Sequence, residues 1–393
     1  MRILRLTDQL TKNGGSNIHI HRLTNEHLSL GHYSEVVSIQ QKSGRYTIDF
    51  IEGSSIVNVN YHQLWNSLTN YLKKSQFDLV HIHDLDFPKL ISDLSSVLPL
   101  YRTMHEQMII CPGHIKYWTS DEKPCVQPYG LHCIAHAYSK ICAPRNPINL
   151  YRRWINTGFE ISNHARCYKK IVVCSDYMKS EAVLAGIKPE KLTKIFAPIP
   201  LPTKVKRPQE RKKILFAGRV ARAKGVHLML EAMRAVLTKH HSWQLDVLGD
   251  GYEKAELEKM SNDLGIAHNV HFHGWKEREV MEKFYMNHDF MIFPSIFPEP
   301  FGMAGAEALA YGLPVIGFDI GGVNEWLING ETGILVESKD IRALSEGILE
   351  MIENKELRDD LGRNGRELVK ERFSSKVVAS HMIRMYQEDI STF

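Results

Sequence analysis

Along the first half of the chain, short apolar runs alternate with stretches of helical periodicity. Ile3 to Leu6 predicts a strand, Ile18 to Ser29 a helix, and Tyr33 to Ile39, Asp78 to His83 and Leu100 to Met104 further strands. This beat is that of a parallel α/β sheet. Lys170 to Cys174 predicts another strand, and Ser175 caps a helix through Ala185 that Gly186 closes. Between Ala197 and Pro208, four prolines and the lysines Lys204 and Lys206 resist both helix and sheet interior.

After this break the beat restarts. Lys213 to Ala217, Trp243 to Leu248, Val270 to His273, Asp289 to Phe293 and Pro314 to Phe318 predict strands, and Val226 to Leu237 a helix. The expected fold class is α/β with two Rossmann-like, doubly wound domains in tandem. They are expected over residues 1–200 and 213–374, joined by a linker over 201–212. Val377, Val378, Met382 and Met385 have helical spacing, so a helix over 375–393 is expected to pack back on the first domain. Doubly wound domains bind ligands at the carboxyl ends of their strands, and a cleft is expected there between the two.

With 393 residues, of which 43% are hydrophobic and 24% charged, the chain can bury two full cores. A net charge of +4 is compatible with a polyanionic small ligand or an anionic membrane surface. No basic, aromatic-interleaved motif appears, so nucleic acid is not an expected partner. Met1 to Asp8 carries charge inside a short apolar run, unlike a signal peptide, and no window approaches a membrane span. The expectation is a cytoplasmic protein with peripheral contact at the inner face of the membrane.

Candidate chemistry gathers after the predicted strands. Glu299 and Glu307 bracket a glycine-containing helix start, Pro300-Phe301-Gly302-Met303-Ala304, whose open N–H groups suit phosphate oxygens and sugar hydroxyls. Gly218-Arg219 and Lys224-Gly225 follow one strand and precede a helix. Arg can fork onto phosphate oxygens and Lys adds a point charge, though these residues taken alone read more readily as a solvated basic turn. Gly14-Gly15 falls between the first strand and helix but lacks the full dinucleotide-binding fingerprint. His105 ends a strand, where imidazole can hydrogen-bond a substrate hydroxyl. His81 and His83 are expected on opposite faces of their strand, with one at most reaching the site. Gly321-Gly322 makes a turn before Glu325, an acid expected at a helix start.

Two segments stand apart. Cys111, Cys125, Cys133 and Cys142, interspersed with His114, His132 and His136, offer ligands for a structural zinc; free thiols in an irregular loop and disulfides are the alternatives. Tyr151 to Tyr168, rich in Arg152, Arg153, Arg166, Trp154 and Phe159, suits an anionic bilayer or a helix packed on the sheet.

Taken in order, Gly218-Arg219 with Lys224-Gly225, the Glu-x7-Glu element and Gly321-Gly322 with Glu325 make the chain resemble the retaining GT-B glycosyltransferases of family GT4. The resemblance implies transfer of a sugar from a nucleotide diphosphate sugar, UDP- or GDP-linked, with retained configuration and no required metal. It implies a glycan, lipid-linked or small-molecule acceptor in envelope polysaccharide synthesis. By the same resemblance Arg219 and Lys224 hold the diphosphate, Glu307 the ribose and Glu299 the sugar hydroxyls. Phe301, Gly302, Met303 and Ala304 line the pocket, Gly15 meets phosphate, and His105 contacts a donor hydroxyl. Alternative readings are a non-catalytic scaffold of this fold and a nucleotide-sugar epimerase.

Overall fold

The structure is a computed structural model describing residues 1–9, 14–42, 45–50, 55–203, 205 and 210–391. Parts of the expected linker, at 204 and 206–209, and the last two positions of the expected terminal helix lie outside the described residues. The chain divides into two compact units. Unit 1 comprises Met1–Asp121, Cys125–Pro198 and Ser375–Phe393, and unit 2 comprises Glu122–Pro124 and Ile199–Ser374. Among the described residues, no helix is long and apolar enough to cross a membrane.

The first ten strands in chain order are β1 (Arg2–Thr7), β2 (Tyr33–Lys42), β3 (Arg45–Phe50), β4 (Ser55–Val59), β5 (Leu79–Ile82), β6 (Leu100–Thr103), β7 (Tyr117–Trp118), β8 (Lys123–Pro124), β9 (Lys170–Val173) and β10 (Leu192–Lys194). Unit 1 orders eight of them β10-β9-β6-β5-β1-β2-β3-β4. The pairing is parallel from β10 to β2 and antiparallel through β3 and β4. The central strands are buried on both faces, Leu79 to Ile82 without a break, and they carry the buried polar side chains Arg5, His81 and Arg102 among their apolar ones. The β3–β4 edge is more exposed and more polar, and its residues carry no long apolar run.

Helix Ser375–Ser391 completes the core of unit 1. Val378, Ala379, Met382 and Tyr386 are fully buried and cluster with Ile3, Leu23, Leu79, Tyr101 and Val172. Each large apolar side chain so buried stabilises the unit by about 1.5–3 kcal/mol.

Unit 2 continues with β11 (Lys213–Ala217), β12 (Gln244–Leu248), β13 (Val270–Gly274), β14 (Phe290–Phe293), β15 (Val315–Asp319) and β16 (Gly333–Glu337). Their order is β13-β12-β11-β14-β15-β16, and every pairing is parallel. Helix Val226–Leu237 packs Met229, Leu230, Met233 and Val236 into the same core as Ile214, Phe216 and Ile292.

The carboxyl ends of β11 and β12 meet at glycine. Gly249 has φ +131°, and a Cβ there would lie 1.7 Å from the carbonyl oxygen of Gly218. Gly249→Ala is therefore expected to destabilise unit 2 by about 1–3 kcal/mol, visible as a lowered thermal midpoint by circular dichroism. An unchanged midpoint would contradict this packing.

Candidate active site

Each sheet changes direction of strand addition once, and loops diverge at that point to leave room for a ligand. In unit 2 the switch lies between β11 and β14. The turn after β11 holds Gly218, Arg219 and a short 3-10 helix, Arg222–Lys224. Gly225 follows with φ +67°, and a Cβ there would sit 1.9 Å from the Pro294 carbonyl oxygen, so only glycine lets this turn lie against the loop after β14. The Ala223 carbonyl accepts N–H bonds from both Ile296 and Phe297 at 3.0 Å.

This contact brings Lys224 to Glu299. Lys224 Nζ lies 2.5 Å from Glu299 Oε1, the same oxygen accepts the Ser295 hydroxyl at 2.7 Å, and Nζ stands 5.3 Å from the Phe297 ring centre. Glu299 is nearly buried, so its charge needs both partners. Its backbone is fixed as well: Gly322 N–H donates to the Glu299 carbonyl at 2.8 Å, and a Cβ on Gly321 would meet Glu299 backbone atoms at 2.5 and 2.6 Å. The Gly321-Gly322 pair thus positions Glu299. Glu325 belongs to a single 3-10 turn, Val323–Glu325, rather than to the start of a longer helix.

The helix carrying Glu307 runs Met303–Ala310, and Gly302 at its N-cap, φ +84°, has no side chain to cap it. Its first N–H groups are therefore available to an anion. Trp326, fully buried, props this end: its indole N–H donates to the Phe301 carbonyl at 2.5 Å, and its ring occupies the space a Gly305 Cβ would need. Glu299 precedes the helix and Glu307 rides on it, while Arg219 is exposed on the β11 turn.

In unit 1 the switch lies between β1 and β5. Gly14, φ +97°, is the N-cap of helix Gly15–Ser29, again without a side-chain cap. His105 follows β6 and joins a buried chain. Arg5 Nη1 is 3.2 Å from His83 Nε2, and His83 Nδ1 is 2.9 Å from His105 Nε2. Arg5 Nη2 is 2.8 Å from His27 Nδ1, and His27 Nε2 lies 3.2 Å from the Ala379 carbonyl oxygen. Guanidinium only donates, which assigns the tautomers. His83 accepts at Nε2 and donates from Nδ1, so His105 accepts at Nε2 and, when neutral, carries its hydrogen on Nδ1. Burial, then neighbouring positive groups, hold His19, His81 and His83 neutral far into acid, and His27 falls to about 2. Burial lowers His105 too, against an opposing pull from Asp84.

His81 and His83 do not face opposite ways. Residues two apart share a face, and the rings stack 4.7 Å apart, both buried; His81 is engaged with Tyr386 and Thr103. The basic aromatic segment forms helix Pro147–Cys167, packed through Leu150, Thr157, Glu160 and His164. Glu160 meets buried Arg102 at 3.1 Å, so packing on the sheet describes its inner face.

Ser295, Trp326, Arg5 and Asp8 escaped sequence reasoning. A lone serine or tryptophan has no periodic signature, and Arg5 sits inside an apolar run. Asp8, just past β1, is raised to about 6 by burial and by Asp84 and Asp86. Burial also pushes the Cys142 thiol up to about 12, with Cys111, Cys125 and Cys133 adding to the rise.

Residues 13–201 match the family model described as Glycosyltransferase Family 4, and residues 201–368 that described as Glycosyl transferases group 1. The capsular polysaccharide biosynthesis glycosyltransferase CapM of Staphylococcus aureus is 30% identical over 171 residues, 44% of each chain. The alpha-D-kanosaminyltransferase of Streptomyces kanamyceticus is 25% identical over 179 residues, 46% of each. These matches span less than half the length of the curated relatives. Sucrose-phosphate synthase from Thermosynechococcus elongatus has the same fold over 100% of both chains, with TM-score 0.71 at 18% identity. HepE of Anabaena, solved with UDP-glucose, aligns over 99% of this chain and 100% of its own, with TM-score 0.68 at 16% identity.

The neutral rings make unit 1 acid-sensitive. Unfolded imidazoles take up protons near pH 6.5, whereas His19, His27, His81, His83 and His105 resist protonation when folded. Their contribution is intact above about pH 6.5 and is lost as pH falls toward the lowered folded values, at up to about 1.4 kcal/mol per ring per pH unit. Asp8 and Glu160, whose carboxyls burial raises, act in the opposite sense, and His114, lowered to about 3, adds to the imidazoles. The thermal midpoint is expected to fall between pH 7.5 and 5.5; a flat profile would contradict the neutral cluster.

Proposed function

Because the chain belongs to the GT-B glycosyltransferases of family 4, we propose that it moves a sugar from a nucleotide diphosphate sugar to an acceptor hydroxyl with retention of anomeric configuration. The observation that carries this reading is the Lys224–Glu299 pair, held at 2.5 Å beside the uncapped helix start at Gly302. A cation, a nearly buried carboxylate and open N–H groups at one switch point suit a ligand that is anionic at one end and polyhydroxylated at the other.

In this reading Lys224, Arg219 and the N–H groups from Phe301 to Ala304 stabilise the departing diphosphate without a required metal. Glu299 accepts donor-sugar hydroxyls, Glu307 accepts ribose hydroxyls, Gly15 N–H meets phosphate, and His105 Nδ1–H donates to a sugar hydroxyl. The anomeric C–O bond to phosphate breaks as the acceptor oxygen bonds to the same face of that carbon. The departing phosphate oxygen takes the acceptor's proton. Glu299 is less suited to nucleophilic attack because Lys224 and Ser295 already occupy one of its oxygens.

A UDP- or GDP-sugar donor is favoured; the UDP-glucose in the similar HepE structure supports the former. The likeness to CapM supports an envelope polysaccharide and a glycan or lipid-linked acceptor. On helix Pro147–Cys167, exposed Ile148, Tyr151 and Ile155 follow one face beside Arg152, which supports peripheral contact with an anionic bilayer. Co-sedimentation with phosphatidylglycerol vesicles, lost in Ile148→Asp/Ile155→Asp, checks that contact; equal sedimentation of both proteins rejects it.

Removing one preorganised donor to the leaving group is expected to lower kcat/KM about 10²–10³-fold. Lys224→Ala should show this loss with an unchanged circular dichroism spectrum, and Glu307→Ala should abolish the thermal shift given by the cognate nucleotide sugar. Proton NMR of the product should report the donor's anomeric configuration. Inversion rejects the mechanism, turnover without acceptor favours an epimerase, and no shift with any nucleotide sugar favours a scaffold.

A further inference from the structure

Between His105 and helix Pro147–Cys167 lies a segment whose buried apolar side chains, Ile109, Ile110, Tyr117 and Ala137, are few, while Val126, Leu131, Tyr138 and Ile141 are exposed. Its backbone nevertheless converges tightly on the loop that begins at Cys111. Cys125 N–H donates to the Lys116 carbonyl at 2.7 Å, and a Cβ on Gly113 would lie 1.9 Å from the Cys142 carbonyl oxygen. The loop itself is closed by Cys111 N–H to Gln107 O at 2.8 Å and His114 N–H to Cys111 O at 2.9 Å.

The result is one shared pocket. Cys111, Cys125, Cys133 and Cys142 all line a cavity of about 20 Å³, with Pro112, Gly113 and Lys116 completing part of its wall. All four are free cysteines, and each lies within electrostatic reach of the other three. The backbone amides of Gly113 and Lys116 favour the Cys111 thiolate, against burial. Lys116 is itself buried, with Nζ 2.9 Å from Glu181 and 2.6 Å from the Gln127 carbonyl oxygen.

We propose that Cys111, Cys125, Cys133 and Cys142 bind one zinc ion as a tetrathiolate centre that folds this segment. Four sulfur ligands at tetrahedral angles are the preferred set of a structural zinc, which stabilises small segments that cannot build a core. Amide N–H groups and a nearby cation are the outer partners that a doubly negative zinc tetrathiolate requires. Among the described residues no three His, Cys, Asp or Glu side chains already stand at metal-ligating distance. Binding therefore draws the sulfurs inward to about 2.3 Å from the ion. Four S–H bonds give way to four Zn–S bonds, and four protons pass to solvent. The proposal does not rest on the donor chemistry of unit 2 and is tested independently of it.

The test is metal analysis of the full chain purified without chelators, with release followed during titration by an organomercurial. One zinc per chain, released only as thiols are titrated, is the expected result. Cobalt exchanged for zinc should give the intense visible bands and thiolate charge-transfer absorption of a tetrahedral sulfur site. Cys125→Ser and Cys142→Ser should lose the metal and lower the thermal midpoint; if they do not fold, the cobalt spectrum of the unaltered chain decides. A chain that takes up neither zinc nor cobalt overturns the proposal. So do bound iron, disulfides among these cysteines, and serine variants that retain full metal content.

Discussion

The donor chemistry proposed for unit 2 depends on a backbone contact. The turn ending at Gly225 lies against the loop after β14 so closely that a side chain at Gly225 would strike the Pro294 carbonyl, and the Ala223 carbonyl locks the two together by accepting two N–H groups. Without that approach, Lys224 and Glu299 would be separated by 75 positions of chain and by the width of a loop. With it, a buried carboxylate has a cation and a hydroxyl on one oxygen. Burying such a charge without partners costs several kcal/mol, so loop, lysine and carboxylate form one interdependent unit.

Unit 1 reaches preorganisation differently. There the constraint is a single donor-only side chain, Arg5, buried between two imidazoles. Because guanidinium cannot accept, each ring's hydrogen is dictated in turn, and the order ends at His105. One unit fixes the placement of charge, while the other fixes the placement of hydrogens.

Much of this was legible in the residues, and the omissions have physical causes. The central parallel strands stand out because both faces are buried, which makes them rich in apolar residues, as in Ile214 to Ala217 and Phe290 to Phe293. The β4 edge was missed because a half-exposed edge strand needs no such run, as the mostly exposed Ser55–Val59 illustrates. Ser175 and Gly186 were readable because caps and left-handed closures are local chemistry. Glu299 and Lys224 were readable as residue types beside a turn, but their ion pair was not, since pairing across the sheet leaves no trace in spacing. The same limit hid Trp326, whose role depends on the absence of a side chain at Gly305. The histidines of β5 illustrate a further gap: their shared face follows from strand geometry alone, but their wiring to Arg5 exists only once β1 and β5 are neighbours.

The path of the chain has a consequence for how the protein is made. Unit 2 is nearly contiguous, whereas the core of unit 1 needs Val378, Met382 and Tyr386 from a helix encoded after the whole of unit 2. A ribosome therefore delivers the first sheet long before the residues that seal it, and Ile3, Leu79 and Tyr101 must wait with apolar surface uncovered through the synthesis of roughly two hundred residues, some 10–40 s at about 5–20 residues per second. The later half matures first, and the earlier half is left for that interval as a natural client for chaperones.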